Sequence, residues 1–183
     1  IVTSYSTGGR QPNYSIYMRA KSLSYWNPDV LLILAGYNDT AAGNPYITGG
    51  TAVEPSDYGL NDAAYTGGEI DLVANPSATV PSFGASYRGM LQQIFTDMPS
   101  CRVVLIAPPR GSGGANPTSS EYAVIQGKTK VIQQIAKEFG CPFVSLADTY
   151  GVNQWNHTYL TKDGLHFGVN GGERVAMEIL KVF

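Results

Sequence analysis

The chain has 183 residues, 43% of them hydrophobic and 14% charged, which is enough apolar side chain for a buried core and too much for a disordered segment. Its formal net charge of −2 and pI near 5.6 come with no basic run or stripe, which argues against nucleic acid or an anionic membrane as a partner. The longest apolar run, Val30 to Ala35, is far short of the roughly 18 residues needed to span a bilayer.

Short β-rich apolar runs alternate with segments of helical period, without internal repeats or a low-complexity linker. The expected class is therefore α/β, with a parallel sheet between helical layers and one domain over residues 1–183. Ile1-Val2-Thr3-Ser4-Tyr5 reads as an opening strand. A start on Ile1 with no Met suits a processed or truncated terminus, so the lack of a signal peptide says nothing about secretion, although an extracellular location is suspected. A helix is expected from about Tyr14 to Trp26. Asp29 to Ala35 is the clearest strand, because Val30 to Leu34 are apolar without alternation, as in a sheet covered on both faces.

From Tyr37 to about Val80 the chain is irregular and rich in Gly, Pro, Asn, Asp and Tyr. That exceeds an ordinary connection and predicts a functional insertion at about 39–81. Between Ser82 and Met98, Phe83, Tyr87, Leu91, Ile94, Phe95 and Met98 recur at three- and four-residue steps, which marks one buried helix face. Cys101 to Pro108 is the next strand. After a Gly/Ser/Pro loop, Thr118 and Glu121 have capping-box spacing and should open a helix bearing Tyr122, Ile125, Val131, Ile132, Ile135 and Phe139, with Gly140 as its stop. Phe143 to Ala147 is another buried strand, and a last helix runs from about Gly171 to the end with Val175, Ile179 and Leu180 inward.

The two cysteines, Cys101 and Cys141, each precede a strand. They suit two small buried thiols better than a disulfide. Asn156-His157-Thr158 matches a glycosylation acceptor, a triplet common by chance.

Two short motifs stand where chemistry is expected. Gly36-Tyr37-Asn38-Asp39 follows the strongest strand, and ligands of open parallel sheets bind beyond such strand ends. An Asn amide there suits a developing oxyanion, although an ordinary Asn-Asp turn reads equally well from this motif alone. Asp163-Gly164-Leu165-His166 precedes the last helix. The carboxylate, three residues before the imidazole, can hold it in one tautomer so that His166 takes a proton from a hydroxyl nucleophile. A capping Asp beside a surface His is the plain alternative. His157, with no comparable acid spacing, is expected to be solvated.

In this order, together with the run Thr158-Tyr159-Leu160-Thr161-Lys162-Asp163-Gly164-Leu165-His166 and the Asn170-Gly171 that follows, these blocks resemble the SGNH (GDSL-type) hydrolases and esterases. The likeness runs from Gly8-Gly9 to Val182. It implies a three-layer α/β/α, flavodoxin-like fold, with His166 as catalytic base, Asp163 as its partner and the Asn38 amide in the oxyanion hole. Gly9, 29 residues before Asn38, would supply a backbone N–H to the same hole, with Gly8 its nearest competitor. Phe167 stands where many members have Pro after the His.

The family's Gly-Asp-Ser nucleophile block occurs nowhere in these 183 residues. By that resemblance the first strand of the sheet is missing, and its loss would expose neighbouring backbone and apolar surface. Three readings follow. The serine is supplied by an upstream segment or another chain; or Ser4, in Ser4-Tyr5-Ser6-Thr7-Gly8, substitutes; or the chain is a non-catalytic glycan-binding or structural module. Ser112, between Gly111 and Gly113, lacks the strand-to-helix turn that exposes a nucleophile.

With a serine present, the expected reaction is acyl transfer to water without cofactor or metal. From Ser22 to Tyr87 there is no Lys or Arg, whereas Asp29, Asp39, Glu54, Asp57, Asp62, Glu69 and Asp71 are acidic. Tyr37, Tyr46, Tyr58 and Tyr65 are interspersed. Either they stack on sugar rings, which favours a carbohydrate O-acetyl esterase, or they pack the loop. The acids do not have the spacing of a known calcium loop. A lipase or thioesterase on the same machinery is the alternative enzyme.

Overall fold

A computed structural model of the chain describes residues 16–37, 54–67, 81–111 and 119–183. The expected strand at Ile1–Tyr5 lies outside these residues. Helix α1 (Ile16–Leu23) leads into strand β1 (Val30–Leu34), and a short 3-10 turn (Pro55–Tyr58) precedes α2 (Phe83–Asp97). Strand β2 (Arg102–Ala107), helix α3 (Ser120–Phe139), strand β3 (Phe143–Ser145) and the short helices α4 (Leu146–Thr149) and α5 (His157–Leu160) follow, and α6 (Val169–Leu180) closes the chain.

Among the described residues the sheet has three parallel strands in the order β1-β2-β3, with Val30 opposite Arg102 and Leu105 opposite Phe143. Side chains alternate across it, so the strands contribute to two cores. Ile33, Val103, Leu105 and Ala107 face a core built with α1, α2 and α3. Val104, Ile106 and Val144 face a second core with Leu146, Tyr150, Leu160, Val175 and Ile179. Helices thus lie on both faces of the sheet in a three-layer α/β/α arrangement, although Val30 and Leu32 of β1 are 41% and 46% exposed among the described residues.

The helix ends follow local chemistry. Ser82 caps α2 by accepting from the Ala85 N–H, and Gly140 ends α3 in the left-handed region at φ 66°. The cap of α3 differs from expectation: Ser119, not Thr118, takes that position and accepts from the Tyr122 N–H. Glu121 is thereby free of a capping role, and its carboxylate binds elsewhere. The last strand is shorter than expected because the backbone turns helical at Leu146, and α6 begins two residues before Gly171.

The cysteines are both free thiols, Cys101 buried and Cys141 partly so. Continuing the β2–β3 register sets Cys141 level with Val103, two residues along from Cys101. Burial pushes the Cys141 thiol up to about 11, so it stays a neutral, inert packing group.

The described part of the insertion is pinned to the core at Tyr58 and Gly59. Tyr58 is 2% exposed and lies edge-on to Phe83, and Tyr65 meets Tyr17 edge-on with ring centroids 5.2 Å apart. The buried Tyr58 ring is no platform for a sugar, so the packing alternative holds for it, whereas Tyr65 is only partly buried. Arg88 fastens this segment by donating to the Gly59 and Leu60 carbonyls at 3.2 and 2.6 Å.

Candidate active site

The Asp163–His166 loop is built from the backbone up. Thr161 and Phe167 form an antiparallel bridge, and the Lys162 N–H donates to the His166 carbonyl at 2.8 Å. The loop can turn so tightly because Gly164 sits at φ 90°, a region that side-chain-bearing residues rarely enter. Its N–H donates to the Thr161 hydroxyl at 3.0 Å.

Within this turn Asp163 uses both oxygens. Oδ1 accepts from the backbone N–H groups of Leu165 and His166 at 3.1 and 2.8 Å, while Oδ2 lies 2.7 Å from His166 Nδ1. The backbone N–H of His166, then its ring, then the N–H of Leu165 hold the carboxyl down to about 2. It is therefore an anion at neutral pH. With Nδ1 engaged by a carboxylate, the proton of a neutral imidazole sits on Nδ1 and leaves Nε2 as the basic lone pair. The side chains are 75% and 51% exposed for His166 and Asp163 respectively, so the base is open to an approaching hydroxyl.

Behind this loop lies a tight joint with α6. The buried hydroxyl of Tyr150 donates to the Leu160 carbonyl at 2.9 Å, and the Gly168 N–H donates to the same oxygen at 2.9 Å. Phe167 packs edge-on against Tyr150 at 5.3 Å. Its aromatic ring, rather than a proline, thus anchors the residue after His166 in the second core.

A second group converges at the carboxyl ends of β1 and β2. The Tyr37 hydroxyl donates to Glu121 Oε1 at 2.7 Å, and Lys128 Nζ donates to the Tyr37 carbonyl at 2.8 Å. Burial, then the bond to Glu121, drives the Tyr37 phenol far above its usual range, so it remains a donor. Gly111 links this group to the histidine loop. A Cβ there would lie 2.6 Å from Tyr37 Oη, 3.1 Å from Glu121 Oε1 and 3.4 Å from the Gly164 carbonyl.

Of the expected site residues, Asp163 and His166 are therefore brought together. Asn38 and Gly9 themselves lie outside the described residues, as do Ser4, Ser112 and Tyr46. His157 departs from expectation: it heads α5, is half-buried, and its Nδ1 is shut off from solvent with no hydrogen-bond partner. Asn156 has its amide engaged on both sides, with Nδ2 donating to the Gly151 carbonyl and Oδ1 accepting from Asn153, each at 2.8 Å.

Sequence reasoning passed over Lys128 and read Glu121 only as a capping residue. Lys128 carried a legible signal, a lone cation between Ile125 and Ile132 on an otherwise apolar helix face. Among the described residues no cluster of three or more His, Cys, Asp or Glu is placed to hold a metal, and no helix is long and apolar enough to cross a membrane.

Comparison with known proteins agrees with this architecture. The family model described as GDSL-like Lipase/Acylhydrolase family matches residues 2–174. No curated protein sequence matches. Among solved structures, the acetyl xylan esterase AlAXEase is 18% identical at a TM-score of 0.58, over 94% of this chain and 76% of that one. A catalytic mutant of Axe2, an acetylxylan esterase from Geobacillus stearothermophilus, is 15% identical at 0.57, over 91% and 65%. The lipase/acylhydrolase from Enterococcus faecalis is 21% identical at 0.54, over 93% and 69%. At such identities the likeness is one of fold, and the chain spans about two thirds to three quarters of each of these structures.

Proposed function

The chain belongs to the GDSL-like lipase/acylhydrolase family, and from that premise we propose that it is the acid–base and oxyanion half of a serine ester hydrolase acting on O-acetylated carbohydrate. The single observation that carries the reading is the Asp163 carboxylate holding His166 Nδ1 at 2.7 Å. It leaves Nε2 as a base facing outward, which a capping Asp beside a merely solvated His would not require. Residues 1–183 act as one hydrolase domain with an insertion at about 39–81, and the nucleophilic serine comes from an upstream segment or another chain.

In the reaction, His166 Nε2 removes the serine proton as the hydroxyl attacks the ester carbonyl. Asp163 stabilises the imidazolium by staying ionised. The Asn38 amide and the Gly9 N–H receive the oxyanion. The imidazolium then returns its proton to the leaving alcohol, and a water activated by the same base hydrolyses the acyl-serine.

Acetylated sugar is favoured as substrate by the absence of Lys and Arg from Ser22 to Tyr87, which suits a neutral, hydroxyl-rich ligand better than an anionic one. Two of the structures of the same fold are acetyl xylan esterases by description, which supports the same class. Tyr58 lends no support, since it is buried in the core. A non-catalytic module on this scaffold is the alternative.

Fluorophosphonate labelling of the protein from its source, with mass spectrometry of the adduct, separates these readings. An adduct on a Gly-Asp-Ser peptide beyond these residues is the expected result; an adduct on Ser4 would move the nucleophile into this chain. No adduct where a control esterase reacts would leave a binding module. Faster turnover of long-chain acyl esters than of acetylated xylo-oligosaccharides would make it a lipase.

A further inference from the structure

We propose that Thr161 is a positioning residue that aims the Asp163–His166 pair, by bonding the tip of their loop to the end of α5. The inference rests on the esterase reading above and adds to it a group that touches neither substrate nor the reacting atoms.

Thr161 is 5% exposed, so its hydroxyl is withdrawn from water and is costly unless bonded. It bonds twice. Oγ1 donates to the His157 carbonyl at 2.6 Å and accepts from the Gly164 N–H at 3.0 Å. The first bond is not needed to end α5, because the Thr161 N–H already donates to that carbonyl at 2.8 Å. A valine of the same shape would close the helix and fill the space. What a hydroxyl adds is an acceptor: with its one proton committed to His157, its lone pairs are left for Gly164. The branched side chain is stiff at χ1, which keeps that acceptor in place.

The loop needs such an anchor. The His166 side chain is 75% exposed, so packing does not fix the ring. Asp163 accepts from the Leu165 and His166 N–H groups and meets the imidazole, but all these bonds lie within residues 163–166. They hold acid and base to each other without holding either to the rest of the fold. At its base the loop is tied by the Thr161–Phe167 bridge and by the Lys162 N–H on the His166 carbonyl. Ties at the base alone would let the loop swing about them. The bond from Gly164, at the tip, to Thr161 is the third point that stops the swing and sets the direction of His166 Nε2. A base must meet its hydroxyl at hydrogen-bond distance, so small errors of aim are expensive.

The test uses the full-length protein with its serine-bearing segment. Thr161→Val removes the hydroxyl with little change of shape, and Thr161→Ser restores it. For an aryl acetate, Thr161→Val should lower kcat by roughly 10–100-fold, the scale of a misplacement of about 1 Å, while KM changes less than about twofold. Thr161→Ser should recover most of the loss.

A second readout is independent of turnover. In ¹⁵N relaxation the Gly164 and Leu165 amides should be rigid in the wild type, with order parameters near about 0.85, and fall towards about 0.6 in Thr161→Val. The Ile132 amide of α3 should not change, and Thr161→Ser should restore the loop. Full kcat in Thr161→Val, or a loop as rigid there as in the wild type, overturns the proposal. A wild type that neither labels nor turns over sinks the esterase reading instead, and the order parameters then decide the role of Thr161 alone. Should Thr161→Val fail to fold, hydrogen exchange of the Gly164 amide in the wild type decides: protection supports the anchor, and exchange at the rate of an open chain overturns it.

Discussion

Asp163 does two jobs with one carboxylate, and they separate under mutation. Asn at this position keeps an oxygen for the Leu165 and His166 backbone N–H groups, so the turn survives. Its NH2 group, however, donates where Oδ2 accepted. His166 Nδ1 must then accept, the ring proton moves to Nε2, and the base is lost. Asp163→Asn should therefore lower kcat roughly 10³–10⁴-fold with an unchanged circular dichroism spectrum; retention of activity would remove Asp163 from the mechanism. The same hydrogen bonds fix a pH dependence. Because the folded carboxyl is held down to about 2, below the ordinary value of about 3.9, the ionised turn is favoured above that ordinary value. It loses the advantage as the pH falls through about 2. Carboxyl ¹³C resonances followed from pH 5 to 1.5 should show an Asp163 midpoint near 2, and a midpoint near 4 would mean that the turn does not hold its bonds in solution.

At the scale of elements, the joint between the histidine loop and α6 depends on an absent side chain. A Cβ on Gly171 would fall 2.0 Å from the Leu160 carbonyl and 2.2 Å from the Tyr150 hydroxyl. Leu160 cannot retreat freely, since its oxygen holds both Tyr150 and Gly168. Gly171→Ala should thus cost about 2–3 kcal/mol by overpacking and displace the His166 loop, lowering the urea midpoint and the activity together. An unchanged midpoint would show that α6 can shift at no cost. This joint also marks the limit of what the sequence tells a reader. Helices α2 and α3 and strands β1 and β2 were legible because each is long, with apolar residues at one clear period. The Asp163–His166 pair was legible because its partners are three residues apart. The seat of Phe167 against Tyr150, the half-burial of His157 and the packing of Tyr58 were not, because each depends on residues distant in sequence. A tyrosine in a polar loop reads the same whether it faces solvent or enters the core; only the docking of the 3-10 turn against α2 and α3 decides for Tyr58.

At the scale of the whole molecule, one arginine connects three parts of the chain. Arg88 of α2 donates through Nε and Nη2 to both oxygens of Glu138 on α3 at 2.7 and 2.8 Å, and also to the Gly59 and Leu60 carbonyls. Its side chain is 9% exposed and that of Glu138 33%. Removing one member of a fully buried pair costs about 3–5 kcal/mol. Glu138 can partly rehydrate, which lowers the cost, whereas the two carbonyls lose a donor, which raises it. For Arg88→Met we expect a loss of about 2–3 kcal/mol at pH 7. The bond from Arg88 is the largest of the effects that lower the Glu138 pKa below its usual value. The pair therefore contributes fully above the ordinary glutamate range and progressively less as the pH falls through the lowered folded value. Urea unfolding of wild type and Arg88→Met at pH 7 and pH 3 should show the gap narrowing at the lower pH. Part of it should persist, because the guanidinium still serves the two carbonyls when Glu138 is neutral. A gap of equal size at both values would assign the whole effect to those carbonyls and to lost packing. The link between α2 and α3 would then owe nothing to charge.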